Sequence, residues 1–542
     1  MLRLLILSGP ICAGKSELVE RLRGDGFASL STSECLREVA QSRSLSVDRK
    51  ALQDLSRQID MDTNYSWIAK ALSEKNFKEE SLVVVDSVRF PEQVAKIREK
   101  FGWRTIHVHL TAPREVLRVR FEQRSAAKDR KVSFDEAIGD LTEQNEDSLS
   151  KEADLLIDTS RCDADDIYIR VAARLGLFAP PAQKFVDVLV GGQYGSEGKG
   201  QVAAYLAREY DVVVRVGGPN AGHRVSSESG VFTYIHLPSG CRDHDAEILL
   251  GPGTIINTEQ LLQEISDAGV NPARITIDEN CFLITDEDIA AETKLKQSIS
   301  STGQGVGAAT ARKIWRGDNG AITLAKGHPA LKPMVGSVID RLERAYATGK
   351  RIFLEGTQGS GLSLHHGAFP YVTSRDTNVA GCLSEAGISP MRVRKVLMVL
   401  RPYPIRVGNP EEPGKTSGPL KNEIGGKLIA ERAALDAEKL LSSEVTSRTK
   451  RPRRFGEFDW TLFRRSCALN APTDIAFTFA DYISIKNRDA YRFEQLTPET
   501  IRFVEELERV AQAPVSLINT KFDQRSVIDR RNWGVGRRLW RT

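Results

Sequence analysis

Short apolar runs alternate with longer amphipathic, charged stretches along most of this chain. In the first third the runs fall at 2–8 (LRLLILS), 82–86 (LVVVD), 104–110 (RTIHVHL) and 154–158 (DLLID), with charged helical patterns such as 92–100 between them. In the remainder they fall at 185–190 (FVDVLV), 211–216 (DVVVRV), 247–250, 352–355 and 395–400. Strands buried on both faces read as near-continuous apolar runs, and strand–helix alternation predicts an open parallel sheet with helices on its faces. Two runs, 2–8 and 185–190, pass directly into glycine-rich turns and then helical patterns, which is how such sheets open. Two openings predict two α/β domains, at 1–176 and 184–542, fused and not duplicated, since no repeat is shared beyond the openings. Ala179-Pro180-Pro181-Ala182 between them reads as a stiff linker, because consecutive prolines disfavour helix.

Composition narrows the class. With 542 residues, at roughly 150 per domain, the chain has room for three or four domains or for fewer large ones. An apolar share of 41% and a charged share of 27% give ample core for a soluble globular protein. Lys and Arg number 76 against 72 Asp and Glu, a balance that argues against a dedicated nucleic-acid binder. The basic, aromatic end (Arg530, Arg531, Trp533, Arg537, Arg538, Trp540) reads as a surface or dimer-contacting tail. Seven scattered cysteines without a CxxC pair predict neither a disulfide scaffold nor a zinc cluster, and fit a reducing, cytoplasmic compartment. The opening MLRLLILSGP breaks at Gly9-Pro10 before a signal-peptide core is complete, and no run approaches the ~18 apolar residues of a membrane span.

The segment from Gly9 through Gly14, Lys15 and Ser16 matches GxxxxGK[ST] in full, after a strand and before a helix. Its glycines allow backbone N–H groups to curl round a phosphate, Lys15 reaches the outer phosphates, and Ser16 can ligate Mg²⁺. Asp86 ends an apolar strand and Arg89 follows it, so an acceptor site is expected at the carboxyl edge of the sheet. Arg114, Arg118, Arg120, Arg124 and Arg130 follow in a helix and the loop after it, and Arg124 and Arg130 are the candidates for a mobile lid. Through the phosphate loop and the Asp-x-x-Arg segment, this first domain resembles the nucleoside and deoxynucleoside monophosphate kinases.

The second domain carries six ordered motifs. They are Gly191-Gly-Gln-Tyr-Gly195-Ser196-Glu-Gly198-Lys199-Gly200, then Gly217-Gly-Pro-Asn220-Ala-Gly222-His223, then Ser301-Thr302-Gly-Gln-Gly-Val-Gly. Glu355-Gly-Thr-Gln358-Gly, Tyr371-Val-Thr373-Ser and Thr449-Lys-Arg451-Pro-Arg453-Arg454 complete the set. Physically, the first is a phosphate cradle, the second puts a histidine on a glycine-flexed loop, and the arginines of the last can hold a carboxylate. In this order they closely resemble the adenylosuccinate synthetases, which condense L-aspartate with a 6-oxopurine nucleotide at the expense of a nucleoside triphosphate and Mg²⁺. The resemblance implies that Lys199 binds phosphate with Gly195, Gly198 and Gly200, that His223 assists phosphoryl transfer to purine O6, and that the Gly222 carbonyl meets Mg²⁺. It implies nucleotide-monophosphate contacts from Asn220, Thr302, Gln358 and Thr373, with Gln358 near the purine, and an aspartate loop of Thr449, Arg451 and Arg453. Arg316 resembles the arginine lent by a neighbouring subunit, so a homodimer is implied. The chemistry follows: a 6-oxo group leaves poorly, so it is first phosphorylated and then displaced by the aspartate amine.

Three positions depart from that family. Ser196 stands where the family has an aspartate that takes the purine N1 proton and ligates Mg²⁺, and a serine hydroxyl can do neither comparably. The residue fits either a disabled enzyme or a pocket reshaped for a purine with a 2-amino group. The retained lysine, histidine, glutamine and arginines favour the second reading, that of the 2-aminoadenylosuccinate synthetases, which take dGMP in place of IMP. Ordinary IMP use and a nucleotide sensor are the rivals. Phe479 replaces a lysine beside Asp481, which can still read the triphosphate base, leaving ATP or GTP open. Gln304 stands where an arginine is usual.

Overall fold

The computed structural model describes residues 3–75, 77, 82–126, 133–138, 145–227, 230–316, 324–445 and 451–531. Arg130, Thr449, Trp533, Arg537, Arg538 and Trp540 lie outside the described residues. The chain divides into two compact units, Met1–Phe178 and Ala179–Thr542.

The first unit is a five-stranded parallel sheet in the spatial order Ala28–Ser31, Leu82–Asp86, Arg3–Ser8, Thr105–Thr111, Leu155–Asp158. The alternation of side chains along the central strand explains its composition. Leu5 and Leu7 pack on one face with Leu18, Leu22, Ile167 and Val171, whereas Leu4 and Ile6 pack on the other with Ile68, Leu72, Val94 and Ile97. The edge strand Ala28–Ser31 escaped the apolar pattern, because three of its four residues are only half-buried.

The second unit is built on a ten-stranded sheet whose strands begin, in spatial order, at Val335, Ile275, Glu247, Val212, Ile352, Val186, Val393, Asp474, Val515 and Val527. All neighbours are parallel except the last pair. Val186–Gly191 lies at the centre and is fully buried on both faces, with Val186, Val188 and Val190 toward one helical layer and Leu189 toward the other. Five strands beyond the predicted ones complete the sheet: Ile275–Asp278, Val335–Gly336, Asp474–Phe477, Val515–Asn519 and Val527–Asp529. They are short or end in polar residues, so no continuous apolar run announces them. The prolines of 179–182 are held as well as stiff: Arg392 donates to the carbonyls of Ala179 at 3.2 Å and Pro180 at 2.5 Å, which makes the segment part of the second unit. Among the described residues no helix is long and apolar enough to cross a membrane.

Candidate functional site

In the first unit the glycine loop leaves the carboxyl end of the central strand. Gly9 has φ 134°, and a Cβ there would lie 2.1 Å from the Leu110 carbonyl oxygen, so only glycine lets the loop pass the neighbouring strand. Gly14, at φ 98°, starts the helix Lys15–Gly24, which aims its N-terminus and Ser16 at the loop. The Lys15 ammonium donates to the carbonyls of Gly9 and Pro10 at 2.5 and 2.7 Å. Val88 N–H donates to the Leu7 carbonyl at 3.1 Å, which draws the 86–89 segment, with Asp86 and Arg89, alongside the loop. Arg120 is a strut: its guanidinium donates to Thr159 at 2.8 and 2.9 Å and to the Cys12 carbonyl at 3.5 Å. Arg114 and Arg118 both pair with Asp135, and Arg124 is exposed in the last turn of the helix Arg114–Ala126. The predicted arginine group is thus divided, with two members in a surface ion pair and one bracing the phosphate loop.

Below that loop lies a polar cluster with no counterpart in the motif reading. The Ser8 hydroxyl sits between His107 Nε2 at 2.7 Å and His109 Nδ1 at 2.8 Å. Burial, reinforced by Arg98 for His107 and by Lys15 for His109, pushes both imidazoles down to about 4, so both are neutral under ordinary conditions. The i, i+2 spacing of two histidines in a buried strand put them on one face and was the available signal.

The second unit contains a cavity of about 880 Å³ that gathers most of the predicted residues: Gly195, Ser196, Gly198, Lys199, Gly200, Asn220, Gly222, His223, Thr302, Gln358, Thr373, Arg451, Arg453 and Asp481. The glycine loop between the central strand and the helix Lys199–Ala207 forms one wall. Glu197, fully buried, organises it: one carboxylate oxygen accepts from Gln193 N–H at 3.0 Å and Gly195 N–H at 2.8 Å, and the other holds the Lys199 ammonium at 2.5 Å. A Cβ at Gly359 would lie 2.3 Å from that carboxylate, so the Gln358-Gly359 step can contain no larger residue. Ser196 has φ 57° and is exposed, and its carbonyl accepts from Arg401 at 3.2 Å.

His223 opens the hairpin His223–Ser227 and Gly230–Tyr234. Its Nδ1 bonds Glu355, whose carboxylate also accepts from Arg215 at 2.9 Å and from the Ser239 hydroxyl and N–H at 2.6 and 2.7 Å. Burial and Arg215 push His223 down to about 4 against the pull of Glu355. Burial opposes ionisation of Glu355, but Arg215, His223 and Ser239 outweigh it and hold the carboxyl at about 2. The pair is therefore a neutral imidazole donating Nδ1–H to a carboxylate, with Nε2 as its second nitrogen. Negative charge brought against Nε2 favours the imidazolium, so a phosphate arriving there raises the pKa of His223 and populates the protonated form that can donate to it.

Asn220 and Gln358 both donate to the Thr373 hydroxyl, at 3.2 and 2.8 Å, while their amide oxygens are buried without a hydrogen bond. Buried polar atoms are normally satisfied, so these two oxygens are unmet hydrogen-bonding capacity on residues that line the cavity. Thr302 lies on the same wall, and Gln304 folds its amide back onto the Thr302 carbonyl at 3.1 Å. Arg316, exposed at the end of the helix Val306–Trp315, is the exception: it is not on the cavity wall. Asp481 is buried, accepts from Arg488 at 3.1 Å with one oxygen and leaves the other unbonded; burial raises its pKa while Arg488 opposes. Beside it the Phe479 ring lies near-parallel to Phe522, centroids 6.4 Å apart, with the Arg401 guanidinium over Phe479 at 4.4 Å.

Sequence reasoning gave no role to Glu197, Arg215, Glu355, Arg401 or Glu444. Glu197 and Glu355 stand inside quoted motifs, but a carboxylate that only braces its neighbours has no spacing signature. All seven cysteines are free thiols, and among the described residues no group of three His, Cys, Asp or Glu side chains could hold a metal ion.

The adenylosuccinate synthetase family model matches residues 188–328 and 321–488, and an AAA domain model matches residues 5–166. The adenylosuccinate synthetase of Methanococcus aeolicus is 34% identical over 351 residues, covering 63% of this chain and 98% of the relative. Among solved structures, cyanophage S-2L succinoaminodeoxyadenylate synthetase (PurZ), bound to dGMP and to dATP as an energy donor, is 29% identical, with a TM-score of 0.53 over 65% of this chain and 96% of that one. Plasmodium falciparum adenylosuccinate synthetase shares the fold, at 22% identity and a TM-score of 0.56 over 64% and 100% of the two chains. A phosphate cradle, a buried histidine–carboxylate pair and this match over residues 188–488 converge: the chain belongs to the adenylosuccinate synthetase family, as a ligase with an N-terminal P-loop kinase-like unit.

Proposed function

We propose that the second unit joins L-aspartate to C6 of dGMP, giving 2-amino-deoxyadenylosuccinate, with hydrolysis of ATP or GTP, and that the first unit phosphorylates a (deoxy)nucleoside monophosphate. The observation that carries the reading is the neutral Ser196 on the cavity wall beside otherwise intact machinery: Lys199 on Glu197, His223 on Glu355, and Gln358 with Asn220 on Thr373. A disabled site has no reason to keep two buried carboxylates committed to a lysine and a histidine, since unneeded buried charge is costly. A smaller, uncharged residue next to the purine's N1/C2 edge leaves space for an exocyclic amine. The PurZ structure, which holds dGMP, supports the same substrate by likeness.

Lys199 and the loop N–H groups bind the triphosphate, His223 stabilises charge on the migrating phosphoryl group, and Gln358 orients the purine. Arg451 and Arg453, with Thr449, receive the aspartate carboxylates. Gly222 and Ser196 offer a divalent cation only neutral oxygens, which suits Mg²⁺ carried mainly by phosphates and water. It supplies charge neutralisation to the transferring group. The free thiols fit a reducing, cytoplasmic setting. Arg316 stands exposed beside Trp315 at 81% and Ile314 at 70% exposure, which supports a homodimer in which Arg316 reaches the partner's monophosphate site.

The test supplies purified protein with L-aspartate, Mg²⁺ and ATP or GTP, and compares dGMP, GMP, IMP and dIMP by phosphate release and product mass. Aspartate-dependent product from dGMP with little from IMP is expected. Turnover of IMP alone returns the protein to the ordinary reaction, and binding without turnover makes it a sensor.

A further inference from the structure

The geometry points to Glu444 as a positioning residue that registers the aspartate-binding arginine against the phosphate loop, an inference that rests on the reading of the second unit given above. Glu444 follows the helix Ala437–Ser443 and is 4% exposed. One carboxylate oxygen accepts from Arg401 at 2.6 Å and from the Tyr482 hydroxyl at 2.8 Å, and the other accepts from Arg453 at 2.7 Å. The Glu444 backbone carbonyl accepts from Arg453 N–H at 3.1 Å, and Val445 bridges Pro452. Side chain and main chain together therefore tie Glu444 and Val445 to Pro452 and Arg453, next to Arg451.

The other end of the connection is the phosphate loop. Arg401 is fully buried, donates to the Ser196 carbonyl at 3.2 Å, and exchanges main-chain hydrogen bonds with the Gln193 amide at 2.9 and 3.1 Å. Its guanidinium is flanked by Phe479 and Tyr482, at 4.4 and 5.3 Å from the ring centres, so it has one available orientation. An unbroken series of bonds thus runs from Ser196 through Arg401 and Glu444 to Arg453.

A buried Arg–Glu–Arg triad is a poor stabilising device, because apolar residues of similar volume often do as well or better. Its value is direction, since charge-assisted and multidentate contacts fix angles as well as distances. Arg453 held only by its backbone would sample several rotamers. Held by Glu444, it presents its remaining N–H groups to the cavity at a set distance from Ser196, where the purine and the incoming amine must meet. Productive geometry demands that kind of support behind a substrate-contacting side chain.

The test measures L-aspartate affinity by calorimetry in the full-length chain saturated with dGMP and ADP, for wild type, Glu444→Gln and Glu444→Asp, with dGMP affinity and thermal midpoint alongside. Loss of one charge-assisted contact should weaken aspartate binding about ten-fold in Glu444→Gln, with dGMP binding unchanged and an intermediate value for Glu444→Asp. Unchanged aspartate affinity overturns the assignment, and so does an equal weakening of both ligands with a lowered midpoint, the mark of a merely structural role. If Glu444→Gln does not fold, Tyr482→Phe removes one donor to Glu444 and should still weaken aspartate selectively; no change there overturns the assignment. A wild type that binds aspartate in this mixture but forms no product when ATP or GTP replaces ADP refutes the reaction alone, and one that binds no aspartate refutes both.

Discussion

His223 and Glu355 meet in a buried contact in which the imidazole Nδ1 faces a carboxylate that Arg215 and Ser239 also hold. The contact fixes the tautomer, so in the proposed reaction Nε2 is the nitrogen that would meet the transferring phosphoryl group.

The pair makes stability fall on acidification in two stages. His223 titrates at about 4 in the fold against 6.5 when free, so the unfolded chain takes up a proton first as pH falls below about 6.5. Glu355 titrates at about 2 against 4.5, so its contribution, complete above about 4.5, is lost as pH falls toward 2. His107, His109 and His244 are also depressed to about 4 and add to the first stage. Thermal midpoints measured from pH 7.5 to 4 should therefore decline in the wild type, and decline less steeply in His223→Gln. Parallel curves for the two proteins would contradict the burial of a neutral His223.

Ser196→Asp should exchange substrates. A carboxylate restores a base and a charged metal ligand next to purine N1 while filling the space assigned to the 2-amino group. Turnover of dGMP should fall at least about ten-fold and turnover of IMP should rise. Steady-state kcat/KM for both nucleotides decides it; a variant that still prefers dGMP removes Ser196 from the specificity argument.

The two phosphate loops should be separable. Lys15→Ala should lower kinase turnover by roughly 10²-fold or more and leave aspartate ligation intact, and Lys199→Ala should do the reverse. Nucleotide products resolved by chromatography from the same reaction report both activities. If either variant abolishes both, the units do not act independently.

Gly359→Ala tests packing alone. Its Cβ would stand 2.3 Å from Glu197 Oε1 and 2.5 Å from the Gln193 carbonyl oxygen. Overpacking of this kind costs about 1–3 kcal/mol, a fall of several degrees in the second unit's melting transition. Because Glu197 carries Lys199, triphosphate affinity should weaken as well. Calorimetric scanning and nucleotide titration of the purified variant check both, and an unshifted transition would show that the loop can yield.

Mixing tests the shared site. Arg316→Ala and Lys199→Ala chains, each inactive alone, should recover activity when combined, because a mixed dimer contains one site with both residues intact. Recovery cannot exceed a minor fraction of wild type, and its absence would return Arg316 to a surface role.

The sequence by itself determined the two sheet openings, the two glycine loops and the order of the motifs that mark the family. These depend on local constraints: glycine where φ is positive at Gly14 and Gly198, a lysine at the first turn of a helix, apolar runs for strands buried on both faces. It also exposed the Ser196 departure, because a single changed residue stands out within a fixed motif. Only the tertiary structure decided what stands behind those residues. Glu355 reaches His223 across 132 positions, Arg401 reaches Ser196 across 205, and Glu444 joins Arg401 to Arg453. It likewise divided the arginines of the first unit, turning Arg120 into a brace and Arg114 and Arg118 into partners of Asp135. A buried charge is placed by whichever opposite charge the fold brings within bonding distance, and that encounter leaves no periodic mark along the chain.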